Sequence, residues 1–435
     1  MPSTSAITEL LTPDGMALLD SLPDYSDDAA LALGDRLRRA GHSPALVAEA
    51  LTQSRLRAKA RDKFGDFAAR MLFTAHGLEQ ATRLPIAAHH AARFRDAGVQ
   101  KVADLGCGLG GDTIAKAGLG LSVIGVDLDP LTVALATVNT SVFENVHIEL
   151  GAAEDFDPGR VQGLWFDPAR RDARSVRVHD PEAASPPLSA IREAARKIGP
   201  VGAKLAPAIQ HADLPPGTET QWVSWHSQVL EACTYFGPLA RRAGAAGTET
   251  AVPGLDEGTL VARSALIFAR QADGSTRPLH VLPDTSDDDA LRTPEVGEIA
   301  DLIVEPDGAI IRAGLLGVLA RRLGAHTIDP TIAYLSASEA SLRAAATAAA
   351  TAPTLSTPLA RAFRVRDVLP LRAKKIAAHL HAAGIGRVEI LKRGADIDPA
   401  VFRTQLKLDK RASGAATLIL TRAAGQRVAI LADPA

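Results

Sequence analysis

The chain has little from which to build a disulfide framework or a thiolate metal site. It holds two cysteines in 435 residues, Cys107 and Cys233, in unrelated contexts. That usage argues against the disulfide-stapled secreted class and fits a reducing compartment. Long apolar runs are also missing: nothing approaches the roughly 18 apolar residues in a row that signal a membrane-spanning helix. The first residues, MPSTSAITELL, lack the basic flank and apolar core of a signal peptide. A cytoplasmic protein without a membrane partner is expected. The histidine pairs His89-His90 and His379/His381 are not spaced i, i+4 and have no thiolate near them, so no metal site is expected.

Charge of one sign is not in excess over the whole chain, which carries a formal net charge of −2. It is unevenly spread, however. From Leu355 to Ala435, 15 Lys and Arg face 6 Asp and Glu, a net +9 that leaves −11 for the remainder. A basic terminal module on an acidic body suits a polyanion-binding appendage, and a solvated basic surface would produce the same pattern.

The length predicts two or three domains. Residues 1–97 read as helices: Asp14, Ser26 and Ser43-Pro44 are cap positions, and Leu31, Leu33 and Leu37 recur near helical spacing. Residues 98–283 change period. KVADLG, LSVIGVDLD, NVHIELG, GLWFDPA and VGAKLAPA are short apolar runs, most of them separated by helical stretches, which predicts an open parallel sheet. After Gly217 the pattern is strand-only, as for an antiparallel edge. Residues 284–354 begin with the acidic DTSDDDALRTPE and end Ala- and Thr-rich, and read as a linker and connecting segment. Residues 355–435 read strand, helix, strand, helix, hairpin, a compact α+β module.

The stretch VADLGCGLGGD, Val102 to Asp112, joins the first strand to a helix. Gly106, Gly108 and Gly110 allow positive φ and close approach of a ligand to the backbone, and the helix that follows offers free N–H groups. Dinucleotide-binding turns space their glycines G-x-G-x-x-G and usually carry an apolar residue where Asp104 stands. A carboxylate there suits the cationic amino-acid tail of a sulfonium cofactor. Asp127, ending the second strand, is placed to accept both ribose hydroxyls of an adenosine, and Asp129 follows it.

On these residues the sequence resembles the class I S-adenosylmethionine-dependent methyltransferases. The resemblance implies a Rossmann-like α/β sheet and S-adenosylmethionine as cofactor, with the methionine part held by Asp104, Gly106, Gly108 and Gly110 and the ribose by Asp127. Beside the adenine the family often has an acid where Ala152 stands; Glu154 and Asp155, just beyond, are the candidates. The fourth strand ends WFDPARRD, similar to the (Asp/Asn)-Pro-Pro-(aromatic) signature of enzymes that methylate exocyclic amines of bases. Asp167 and Pro168 match, whereas Ala169 and Arg170 depart, leaving the stacking group absent. Arg170 and Arg171 offer forks for a phosphate, or a surface ion pair. Trp165 and Phe166 are expected to pack within the sheet. Lys204, ending the fifth strand, is expected to face the same pocket, and Cys233 reads as a buried, inert thiol.

Together with FTAHGLEQATRLPIAAHHAARF, KLAPAI, EPDGAIIRAG and the VEILKRG module, these motifs resemble bacterial methyltransferase-like proteins with a C-terminal THUMP-like domain. THUMP domains belong to RNA-modifying enzymes, so the resemblance implies an RNA substrate, with Lys392 and Arg393 as substrate-side candidates. The basic segment agrees, because Lys and Arg on phosphates supply sequence-independent affinity. Gln80, Thr82 and Arg83 either line the substrate side or pack. The terminal module has only Phe363 and Phe402 as aromatics, spaced like core residues, which predicts recognition of structured RNA by shape and phosphate. Two rivals stay open: a methyltransferase of a protein or small molecule, and a non-catalytic RNA-binding protein on the same scaffold.

Overall fold

In a computed structural model of the chain, which describes residues 4–168, 180–243, 255–271, 273–348, 359–409 and 411–435, the apolar runs that begin at Lys101 become parallel strands. They are β1 (Lys101–Leu105), β2 (Ser122–Asp127), β3 (Val146–Leu150), β4 (Gly163–Phe166) and β5 (Val201–Leu205), in the order β3-β2-β1-β4-β5. Every pairing among them is parallel. Both faces of the central strands are covered, which is why they read as nearly continuous apolar runs. Ala103, Leu105, Ile124, Val126, Leu164 and Phe166 form one face and pack with Ile191 of the helix Leu188–Ile198. Strand order reverses between β1 and β4, and open α/β sheets place ligands beyond the strand C-termini at such a point.

The chain divides into two compact units, Met1–Lys204 with Tyr235–Leu239, and Leu205–Thr234 with Ala240–Ala435. The first unit also holds the N-terminal helices α1 (Thr4–Leu10), α2 (Pro13–Asp20), α3 (Asp27–Arg39), α4 (Pro44–Phe64), α5 (Ala75–Gln80) and α6 (Leu84–Asp96). Ser43 caps α4 by accepting from the Leu46 N–H at 3.1 Å. Ser26 precedes α3 without a side-chain capping bond. Asp14, expected as a cap, stands instead in the first turn of α2: Thr12 accepts from the Gly15 N–H at 3.2 Å and Pro13 opens the helix. Proline's fixed φ and missing N–H suit that opening position, and an acid in the first turn suits the helix dipole. Leu46, Leu56 and Phe64 of α4 share a core with Met71, Leu72 and Phe73, which also takes in Leu109 of the glycine turn and Leu135. The helical region is therefore one wall of the turn.

In the second unit, β6 (Glu219–Trp225) and β7 (Gln228–Phe236) are joined through His226 and Ser227, at φ 48° and 67°. Positive φ at both loop residues is the signature of a type I′ hairpin. β8 (Arg263–Arg270) pairs with β6 in parallel and with β9 (Thr276–Val281) antiparallel, so this strand-only region is mixed, not an antiparallel edge. β7 reverses the chain direction between β6 and β8, and the chain after it passes β6 to reach the far side, which leaves β8 parallel to β6.

A second sheet has the order β11-β12-β10-β13-β16-β15-β14, from β10 (Leu302–Pro306), β11 (His326–Thr327), β12 (Leu335–Ala337), β13 (Ala360–Pro370), β14 (Ile385–Lys392), β15 (Gly414–Ala423) and β16 (Gln426–Pro434). Residues 284–354 thus supply three of its strands, and β10 pairs antiparallel with both β12 and β13. From β13 onward the order is strand, helix, strand, helix, hairpin, with helices Ala373–Ala382 and Pro399–Gln405. Phe363 and Phe402 are both core residues. Among the described residues no helix is long and apolar enough to cross a membrane.

Candidate active site

The glycine turn is fastened to the neighbouring strand: the N–H groups of Gly106 and Cys107 both donate to Val126 O, at 2.9 and 3.0 Å. Gly106, Gly108 and Gly110 adopt φ of 84°, 54° and 88°. A Cβ on Gly106 would lie 2.6 Å from the Asp167 carbonyl oxygen, whereas one on Gly108 would meet nothing within 4 Å. Gly106→Ala should therefore destabilise the first unit by more than the about 1–3 kcal/mol of left-handed strain alone, and Gly108→Ala by that strain only. Thermal melting of the two variants side by side checks the difference.

Asp127 accepts from the Gly108 N–H at 3.0 Å and the Asp129 N–H at 3.1 Å, which fixes its carboxylate over the turn. Asp129 serves the backbone instead, capping the helix Pro130–Thr140 by accepting from the Thr132 N–H at 2.9 Å. Asp104 is buried. Its Oδ2 accepts from Thr113 Oγ1 at 2.5 Å, and its Oδ1 lies 3.3 Å from the fully buried Lys116 Nζ without completing a hydrogen bond. Burial pushes the Asp104 carboxyl up, while Lys116 draws it down. Behind it, Asp112 bonds His90 Nδ1 at 2.7 Å, and the His90 ring stacks on Trp165 with centroids 4.4 Å apart. Burial alone would raise the Asp112 carboxyl, but His90 and Lys116 together hold it well below the usual carboxylate range.

At the ends of β4 and β5, Lys204 Nζ donates to Asp167 Oδ2 at 2.5 Å and to Thr82 Oγ1 at 3.0 Å. Lys204 is 3% exposed and Asp167 26%, so the cation is sunk beneath a carboxylate that faces outward. The wall opposite follows α5. Lys63 Nζ ties it down by donating to the carbonyls of Leu78, Glu79 and Ala81, each at 2.8 Å. Burial, aided by Arg83 and Lys204, lowers the Lys63 pKa to about 8.

These groups surround one cavity of about 420 Å³, lined among others by Asp104, Gly106, Gly108, Asp127, Asp167 and Lys204. Pro168, Gln80 and Thr82 also line it, as do Thr74, His76 and Asp112, which sequence reasoning did not single out. Arg83 bonds Asp62 and is not part of the lining. Trp165 and Phe166 are buried in the sheet. Gly110, at the head of the helix Gly111–Gly118, is packed against Thr140 and likewise does not line the cavity. Glu154 and Asp155 lie on the short turn Ala153–Asp155, exposed and outside the lining, with Glu154 accepting from Ser185 Oγ at 3.0 Å. Arg170 and Arg171 fall outside the described residues. Lys392 and Arg393 belong to the second unit, at the end of β14: Lys392 is exposed, while Arg393 lies 3.6 Å from Glu305 and stacks over Tyr334. Cys233 is buried.

One missed feature had a visible signal. Leu128, directly after the strand-ending Asp127, is 65% exposed, and Leu150, in register with Asp127 on β3, is 59% exposed. These two bare aliphatic side chains stand at the same strand-end edge as Asp127, outside the residues that line the cavity.

Residues 360–434 match the family described as THUMP domain-like, and residues 3–60 match a domain of unknown function. An uncharacterised S-adenosylmethionine-dependent methyltransferase of Mycobacterium tuberculosis, represented by two strains, is 29% identical over 396 residues, which span 89% of this chain and 95% of the relative. Among solved structures, a candidate methyltransferase from Porphyromonas gingivalis W83 superposes with a TM-score of 0.65 at 19% identity, covering 94% of this chain and 99% of that one. The last likeness speaks for the fold. Together these findings bear out the resemblance to class I S-adenosylmethionine-dependent methyltransferases with a THUMP-like C-terminal domain.

Proposed function

We propose that this chain, with its class I methyltransferase fold and THUMP-like domain, transfers a methyl group from S-adenosylmethionine to a base in structured RNA. The observation that carries the reading is the 420 Å³ cavity, which gathers the glycine turn, Asp104 and Asp127 with Asp167, Pro168 and Lys204. The residues fit the cofactor. Asp104 lines the cavity, and its Oδ1, 3.3 Å from Lys116 without a completed hydrogen bond, keeps a lone pair that an ammonium would take. Asp127 keeps lone pairs for ribose hydroxyls, and Leu128 and Leu150 give the adenine an apolar face. Leu128→Ser should weaken S-adenosylhomocysteine binding roughly fivefold, the effect of losing about 1 kcal/mol of apolar contact, and should leave the melting temperature unchanged. Calorimetric titration of both proteins reads the difference.

When bound, S-adenosylmethionine supplies an electrophilic methyl carbon on a sulfonium, and what the chain itself contributes is alignment and exclusion of water. Asp167 would accept a hydrogen bond from the acceptor amine and so orient its nitrogen. Lys204, itself held by Thr82, fixes the carboxylate. Asp167 would then take the proton that the methylated nitrogen sheds and pass it to water.

The RNA part is supported by the net +9 of the segment from Leu355 onward and by its THUMP-like match. The test is incubation with methyl-labelled S-adenosylmethionine and total RNA from cells lacking the gene. Label in RNA that RNase releases supports the reading. Label only in protein or metabolites would replace RNA by those substrates.

A further inference from the structure

The second unit contains a cavity of its own, about 490 Å³, that the methyl-transfer reading does not use. Its walls come from the end of β8, the hairpin at His226-Ser227, β10 with Asp307, and the starts of β13 and the loop after β14. Ile267, Ala269, Pro306 and Ala360 give it apolar surface, and Arg270, Arg361 and Arg393 bring guanidinium groups to it.

Those cations are engaged to different degrees. Arg361 is committed: its Nε and Nη2 donate to Glu305 Oε2 at 3.0 and 2.5 Å, and its Nη1 lies 3.5 Å from Glu389. Arg393 is held loosely, 3.6 Å from the other oxygen of Glu305 and 3.4 Å from the Ala333 carbonyl. Arg270 is exposed and pairs with no acid among the described residues. Arg270, together with the loosely paired Arg393 that also stacks over Tyr334, offers guanidinium groups to a doubly charged anion, the kind of group that Arg forks fit.

Asp307 adds the opposite requirement. It is 5% exposed; its Oδ1 accepts from the Ala309 N–H at 2.8 Å, and its Oδ2 has no hydrogen bond. Burial raises its pKa; the Ala309 N–H and the nearby Ser224 hydroxyl lower it. Neither Ser224 Oγ nor Asp307 Oδ2 completes a hydrogen bond. The Ser224 hydroxyl is the donor at hand for this oxygen, and a ligand donor would share the carboxylate with it.

An anion receptor beside a buried acceptor that only Ser224 approaches, with apolar surface between, suits one ligand with a phosphate, hydrogen-bond donors and a flat apolar body. We propose that this cavity binds a phosphorylated nucleoside, its phosphate on Arg270 and Arg393 and a donor group of its sugar or base on Asp307. The volume suits a single nucleotide, at the lower part of the range for small-molecule sites, roughly 300–1,000 Å³. This cavity shares no lining residue with the methyl-transfer cavity.

The test is titration of adenosine 5′-monophosphate and of the 5′-phosphorylated trinucleotide pApApA into the full chain, with and without saturating S-adenosylhomocysteine so that the glycine-turn cavity is accounted for. Saturable binding is expected to survive S-adenosylhomocysteine, to fall at least tenfold in Arg270→Glu, and to be at least tenfold weaker for adenosine. Arg270→Glu changes an exposed side chain and should melt like the parent. Asp307→Asn, which keeps the shape, should also weaken binding. Tighter binding of pApApA would identify an RNA end as the source, and equal or weaker binding a free nucleotide. Absence of saturable binding by both probes, or binding that Arg270→Glu leaves unchanged, would overturn the assignment.

Discussion

Lys116→Met is expected to lower the stability of the first unit by about 3–5 kcal/mol, because it leaves a buried carboxylate without its counter-charge. Lys116 is fully buried 3.3 Å from Asp104, which is itself 1% exposed. Methionine fills the space of the aliphatic stem, so the loss reports the charge and not a cavity. Adding Asp104→Asn should restore most of the stability, since removing both members of a buried pair is far less costly than removing one. The double variant should nevertheless bind S-adenosylmethionine poorly, because a carboxamide does not match an ammonium. Denaturant unfolding and cofactor titration of the single and double variants separate the two effects. A Lys116→Met protein that unfolds like the parent would show that Asp104 does not depend on this pair.

Asp167→Ala is expected to reduce methyl transfer by about 10²–10³, the usual loss when one preorganised hydrogen-bonding group at the reacting centre is removed. Affinity for S-adenosylhomocysteine should change by less than about threefold, well under the 1.4 kcal/mol that marks a tenfold effect. Asp167→Asn should keep part of the rate, because an amide carbonyl still accepts a bond from the acceptor amine. Lys204→Met should slow transfer as well, since Lys204 fixes the Asp167 carboxylate at 2.5 Å. Single-turnover rates on RNA, set beside cofactor affinities for the same proteins, show the split. Equal losses of rate and affinity in Asp167→Ala would move this residue from the acceptor to the cofactor side.

The sheet and its ligand turn were legible because their physics is local. Strands buried on both faces must be apolar along their length, and a turn that demands positive φ demands glycine at Gly106, Gly108 and Gly110. An acid such as Asp104 inside an apolar strand is costly, and so it stands out. The charges behind the turn were not legible. His90, Asp112 and Lys116 lie on helices, where polar residues ordinarily mark a wet face, and only tertiary packing turns them inward against Trp165. The α5 wall escaped notice for a similar reason: Lys63 looks like a surface lysine until three carbonyls converge on it. The parallel pairing of β6 with β8 and the interior place of β10 depend on partners distant in sequence, which no local pattern encodes. Glu154 and Asp155 show the converse: acids near the right strand end, but exposed and outside the cavity lining.

Whether the cavity over the glycine turn holds S-adenosylmethionine through Asp127 is tested most directly by calorimetry. S-adenosylhomocysteine is titrated into the parent protein and into Asp127→Ala. The parent should bind one equivalent, and the variant should bind at least thirtyfold more weakly, as expected for losing charge-assisted hydrogen bonds worth about 1.5–3 kcal/mol each. No binding by the parent, or equal binding by both, would contradict that role.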